Sequence, residues 1–257
     1  MEYMYSDSDS TVQKKFHGIS GTTLKFIGIF FMLLDFIGIY ILESHVFDVS
    51  KLEQNGAANG FTSYELADLI LRLLGGIAFP IFCFLLVEGF VHTSNIKKYI
   101  LRLLLTAIIT EVIWDIANGN GWFFLNSQNV LFTLLIGLLV LTFIRRFSGR
   151  LILQSVAFFA GVILCSVINS DFGGFGYGVI LITFMYATRE KKLFFNIFGP
   201  LLTIAASIFN GYLLALLAFI PINLYNGRRS PSKWSYAFYA VYPALLLTLH
   251  LAGLLFF

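Results

Sequence analysis

Apolar residues in this chain come in runs and not in alternation. The stretch VLFTLLIGLLVLTFI, residues 130–144, carries no charge at all. A half-buried strand would alternate apolar and polar positions, and so would the strands of a membrane barrel. Continuous runs of this length read as helices. The pattern predicts helical spans at about 23–42, 66–90, 98–118, 129–146, 151–168, 174–188, 193–209, 211–226 and 236–256. Two of these boundaries rest on turn chemistry. Asn210-Gly211 divides what would otherwise be one long apolar run, and the stretch from Asp171 to Gly174 divides another.

Prolines modify the picture. Pro80 follows Gly75-Gly76 inside the second span and denies the carbonyl of Gly76 its helical partner, so a kink or break is expected there. Pro200, Pro221 and Pro243 act in the same way on three later spans. The carbonyls they release either mark ordinary kinks or line a cavity.

Composition points to lipid as the solvent. Charged residues make up 12% of the 257 residues, hydrophobic residues 58%, and mean hydropathy is +0.83. Soluble domains carry about 25% charged residues, and half that number cannot cover a surface in water. The expected fold is all-α: a polytopic integral membrane protein with about nine transmembrane helices. Residues 1–20 read as a disordered, polar cytoplasmic tail with no cleavable signal peptide, and 21–257 as a single transmembrane helical domain. A longer outer loop covers about 43–65. Cys83 and Cys165 both fall inside apolar runs and are read as packing residues.

Charge placement then orients the chain. With the N-terminus in the cytoplasm, the inner segments hold Lys14, Lys15, Lys25, Lys97, Lys98, Arg102, Arg145, Arg146, Arg150, Arg189, Lys191, Lys192, Arg228, Arg229 and Lys233, which is 15 of the 17 basic residues. Lys51 alone falls outside and Arg72 lies within a span, as the positive-inside rule requires. The same scheme puts Phe257 on the outer side. The net charge of +3 is spread over these loops, so no nucleic-acid partner is expected. No internal repeat of the transporter kind is visible.

Ionisable groups at membrane depth are costly and usually face protein or a cavity. Asp35, Arg72, Glu111 and Asp115 are four such groups. Glu111 and Asp115 share a helix face. Arg72 is the one intramembrane cation available to three carboxylates, so a polar centre joining the first three spans is expected, extended by Asn129 and Thr133. A second set, Glu88, His92, Asn95 and Arg102, lies toward the cytoplasmic side and reads either as a solvated helix end or as a basic mouth for an anionic ligand. His250 is expected to be a hydrogen-bonded core histidine. Walker loops, Gly-x-Ser-x-Gly, His-Glu-x-x-His and paired-cysteine motifs are absent from the sequence, and no metal is expected.

Several stretches carry a family resemblance: LKFIGIFFMLLDFIG (24–38), LRLLGGIAFPIFCFLLVEGFVHTSNIKKYILRLL (71–104), TEVIWDI (110–116), QNVLFTLLIGLL (128–139), YGVILI (177–182), YNGRR (225–229) and FYAVYP (238–243). Together they resemble the TraX family of bacterial membrane proteins, named after a protein implicated in acetylating the N-terminus of F-pilin and so linked to conjugation. The resemblance implies a multi-pass protein of the bacterial cytoplasmic membrane. It also implies transfer of an acetyl group from cytosolic acetyl-CoA to a peptide or envelope acceptor. Matching positions are Asp35, Arg72, Glu88, His92, Arg102, Glu111, Asp115, Asn129 and Thr133. On this reading Asp35, Glu111, Asp115 and His92 are catalytic candidates, and Arg102, Glu88 and Asn95 hold the donor. The chain departs from the family pattern where Phe36 follows Asp35, where Ala244-Leu245 follows Tyr242-Pro243, and where Ser127 precedes Gln128-Asn129-Val130. Each of these places commonly has a histidine.

Three functional classes therefore stand. The first is a TraX-like acetyltransferase. The second is a degenerate relative acting as a receptor, immunity or assembly protein without catalysis. The third is a permease that uses the same buried carboxylates.

Overall fold

The structure is a computed structural model, and it describes residues 18–46, 63–118, 128–168, 174–228 and 232–256. The expected tail residues 1–17, residues 47–62 of the expected outer loop, Ser127, Asp171, Arg229 and Phe257 lie outside the described residues. Among the described residues all regular structure is helical, apart from one isolated bridge between Ile19 and Tyr225.

The described residues form ten α-helices in order: α1 (Gly21–Ile37), α2 (Ser63–Gly75), α3 (Ala78–His92), α4 (Ile96–Ala117), α5 (Val130–Arg146), α6 (Leu151–Val167), α7 (Tyr177–Thr188), α8 (Lys192–Asn210), α9 (Phe219–Asn223) and α10 (Ser232–Phe256). Every predicted span has a helical counterpart. The first runs past its expected end at residue 42, because α1 continues as a π-helix over Gly38–Val46. The second breaks where Gly75-Gly76 and Pro80 demanded it: Gly76 and Ile77 form a turn between α2 and α3. Pro80 then occupies the first turn of α3, where its missing N–H is no loss. Pro200 and Pro243 sit within continuous helices, α8 and α10. The segment after Gly211 is a 3₁₀ helix, Leu213–Ala218, leading into α9, which contains Pro221.

Among the described residues three stretches are long and apolar enough to cross a membrane by length and composition: Gly21–Glu43, Glu65–His92 and Phe238–Leu255. Leu151–Val167, Tyr177–Thr188, Lys192–Ile208 and Leu213–Asn223 are shorter apolar helices. Outward surfaces are apolar to match. Ile152 on α6, Ile208 on α8 and Leu255 on α10 are each more than three-quarters exposed, which in water would leave large unpaid apolar patches. The molecule is a membrane protein.

The apolar core draws Leu24, Phe79, Ile81, Phe90, Leu103, Leu138, Leu181, Met185 and Phe219 from α1, α3, α4, α5, α7 and α9. A second cluster ties Met32, Phe36 and Tyr40 to Leu246 of α10. Cys83 and Cys165 are fully buried and form no disulfide, and Cys165 packs with Ile136, Val140 and Val179.

Basic helix ends gather at one end of the bundle. The entry to α1 hydrogen-bonds the segment after α9, through Ile19 N to Leu224 O at 2.8 Å and Gly21 N to Arg228 O at 2.7 Å. Arg145 at the end of α5 covers the ring of Phe90 at 4.3 Å, and Lys25 covers Phe238 at the start of α10 at 4.6 Å.

Candidate functional site

A cavity of about 470 Å³ lies between α1, α3, α4 and α10. One stripe of α1 lines it from end to end, through Gly21, Lys25, Ile29, Met32, Asp35 and Phe36. The ten residues from Lys25 to Asp35 span about 15 Å at 1.5 Å per residue. Lys25, Glu88, His92 and Arg102 therefore stand at the basic end of the bundle, and Asp35 stands deep inside it. The walls between are apolar and aromatic: Phe79, Phe82, Leu86, Trp114, Tyr239 and Tyr242. This size and lining suit a small-molecule site, since such pockets run about 300–1,000 Å³.

At the deep end Arg72 of α2 reaches Asp35. Its Nη1 donates to Oδ1 of Asp35 at 3.2 Å and its Nη2 to the hydroxyl of Tyr212 at 2.9 Å. Its Nε faces Oε1 of Glu43 at 3.3 Å. Asp68, one helical turn before Arg72, adds a third carboxylate within electrostatic range. The approach of α1 to α2 that makes this possible depends on Gly75. A β-carbon there would run into the backbone and β-carbon of Asp35.

The expected single polar centre is instead two. Glu111 does not turn toward Arg72. Its Oε2 accepts from the backbone N–H of Asn129 at 2.9 Å and from the Asn129 side-chain amide. That amide also donates to the carbonyl of Ala107 at 3.0 Å, while Oδ1 of Asn129 caps α5 by accepting from Leu131 N at 3.0 Å. The physical reason is local: α4 turns its Glu111 face to the start of α5, where unspent backbone donors and a neutral amide stand ready. Asp115 is fully buried beside Glu111. Neither carboxylate lines the cavity. Thr133, also fully buried, faces α6, where Cys165 Sγ lies 3.5 Å from its hydroxyl.

At the mouth, His92 Nδ1 lies 2.9 Å from the carbonyl of Glu88 and 3.6 Å from its carboxylate. Asn95 caps α4, accepting from Lys98 N at 3.0 Å, and is not a wall of the cavity. Asp35 lies against Gly75, before the break that precedes α3, and from Ala78 to His92 is the length of α3, about 21 Å, so His92 and Asp35 cannot act on one reacting atom. His250 packs edge-on to Tyr40 with ring centroids 6.3 Å apart. Among the described residues no group of three or more His, Cys, Asp or Glu side chains is placed to hold a metal ion.

Sequence reasoning left Glu43 at the start of the outer loop, where the structure has it in the π-helical end of α1 facing Arg72, and it did not single out Asp68, Tyr212 or the cavity tyrosines as site residues. The four-residue spacing of Asp68 and Arg72 was the available signal for one of them. Tyr212 comes from the far end of the chain and carried none.

Against known proteins, a family model described as "TraX protein" matches residues 20–253. The chain belongs to the TraX family. That match takes in Asp35, Arg72, the mouth residues and the α10 wall alike. A TraX-family chain with these residues shares one stretch with a relative called "Probable fimbrial assembly protein FimC, serogroup H1" from Dichelobacter nodosus, at 44% identity over 78 residues, 28% of this chain. The stretch covers 32% of that relative, so the chain spans about a third of its length. No solved structure matches this TraX protein.

Proposed function

We propose that this TraX-family protein is an acetyltransferase of the bacterial cytoplasmic membrane, a single transmembrane domain crossing about nine times with its N-terminus in the cytoplasm. The donor is acetyl-CoA from the cytosol, and the acceptor is a pilus, fimbrial or other envelope component. The relative's name supports that choice of acceptor. One observation carries the reading: a largely apolar cavity leads from cationic side chains to a carboxylate held by an arginine.

The residues fit such a donor. Lys25 and Arg102, with His92 on the same rim, offer positive charge to phosphate groups. The apolar walls accept a long thin arm and bring its thioester to Asp35. Asp35 takes the proton from the acceptor's amine or hydroxyl as general base. Arg72 holds Asp35 in place, and Tyr212 and Glu43 hold Arg72. Glu111, Asp115 and Asn129 brace α4 against α5 from outside the cavity, and Asn95 fixes the start of α4.

Membranes of the source cells, given labelled acetyl-CoA, test this. Label should enter the envelope fraction. Asp35→Asn should lower transfer by about a hundredfold or more, within the range of general-base loss, and Arg102→Ala should raise the donor KM. Label no higher than in a deletion strain would overturn the reading.

A second reading has an observation of its own. Phe36, next to Asp35, is buried against Tyr40 and Tyr242 and presents a ring that moves no protons. It favours a non-catalytic receptor, immunity or assembly role. In that case Asp35→Asn leaves biological function intact wherever the protein folds.

A further inference from the structure

Tyr242 stands on α10 with its ring edge-on to Phe36, centroids 5.4 Å apart, and it lines the cavity alongside Asp35. Its hydroxyl lies within electrostatic reach of Asp35, Tyr40 and Glu111. No hydrogen bond among the described residues engages that hydroxyl. Buried tyrosine hydroxyls are normally paired, as two others in this molecule are. The hydroxyl of Tyr177 meets Thr203 at 2.9 Å, and that of Tyr212 accepts from Arg72 at 2.9 Å. A phenol left without a protein partner, in a cavity wall and beside a carboxylate, has its O–H to give to a ligand oxygen.

We propose that Tyr242 is a catalytic residue that donates a hydrogen bond to the oxyanion of acyl transfer. This rests on the acetyl-transfer reading above. The acceptor's amine or hydroxyl forms a bond to the thioester carbonyl carbon, and its proton passes to the Asp35 carboxylate. The carbonyl oxygen gains the negative charge, which the Tyr242 O–H meets. The carbon–sulfur bond then breaks, the oxygen returns to a carbonyl, and the proton on Asp35 goes to the departing thiolate. The carboxylate is regenerated and no electrons are exchanged with a third party. A donor aimed at the developing charge acts on the transition state and leaves ground-state binding alone.

The test is the same membrane assay with Tyr242→Phe, which keeps the ring and its packing on Phe36. The kcat should fall by roughly a hundredfold, the usual cost of one oxyanion donor, with acetyl-CoA affinity and thermal unfolding unchanged. Incorporating 3-fluorotyrosine at position 242 should shift kcat again without touching the fold, so a poorly folding Tyr242→Phe chain does not block the experiment. If Asp35→Asn is inactive while Tyr242→Phe turns over within about fivefold of wild type, the oxyanion role is overturned and the acetyl-transfer reading stands. A wild type that transfers no acetyl group overturns both.

Discussion

Asn129 serves three neighbours with one side chain. Its amide donates to Glu111 and to the carbonyl of Ala107, and its oxygen caps α5. Asn129→Ala removes a cap, about 1 kcal/mol, and a hydrogen bond to a buried acid, about 1.5–3 kcal/mol. The purified protein should therefore lose about 2.5–4 kcal/mol against denaturant. Arg72 poses the complementary case. Its side chain is one-quarter exposed and that of Asp35 one-seventh, so the pair sits near the low end of buried pairs. Arg72→Met leaves a carboxylate without its cation and should cost about 3 kcal/mol. Adding Asp35→Asn in the same chain should recover part of the loss, read from the same denaturation curves. The Asp35–Arg72 pair was legible in the sequence because charges at membrane depth are few and need partners. The choice of Asn129 by Glu111 was not. Asn129 was expected only at the edge of a centre built on Arg72, and the helix start that supplies its backbone donor to Glu111 is a feature of the fold.

Helix breaks and close approaches decide where these groups meet. The Gly75-Gly76…Pro80 pattern announced a break, and the chain breaks at Gly76 and Ile77. The sequence did not reveal that Gly75 would then lie directly on Asp35, because that contact joins residues forty apart. Gly75→Ala should push α1 from α2 and cost about 1–3 kcal/mol as overpacking does. Because the strain falls on Asp35 itself, acetyl transfer should fall more than stability does, measured on the same preparation. The helical segments as a set were legible, since long apolar runs separated by turns leave little choice. The π-helical end of α1 and the 3₁₀ stretch before α9 were not, because both have the same apolar composition as α-helix.

For the molecule as a whole, the basic loops that the positive-inside rule put on one side are brought together by hydrogen bonds and cation–π contacts, with the cavity mouth among them. Cys83 and Cys165 are fully buried and should not react with a membrane-impermeant maleimide. In intact cells a cysteine from Ser207→Cys, near the end of α8, should label from outside. Cysteines from Ser94→Cys and Ser148→Cys should label only after permeabilisation. The reverse pattern would invert the proposed orientation. Neither the mouth nor the deep carboxylate could be joined into one cavity from sequence, since its walls come from helices at both ends of the chain.

The most direct test of that cavity is titration of the purified protein with acetyl-CoA, comparing wild type with Ile29→Trp. Ile29 is a half-buried wall residue between Lys25 and Asp35, and an indole there fills the passage while leaving mouth and carboxylate intact. Wild type should bind saturably, and Ile29→Trp should bind at least about tenfold more weakly, a loss of about 1.4 kcal/mol, with unchanged thermal unfolding. Equal affinity in the two proteins, or no saturable binding to wild type, would contradict a cavity that holds the donor.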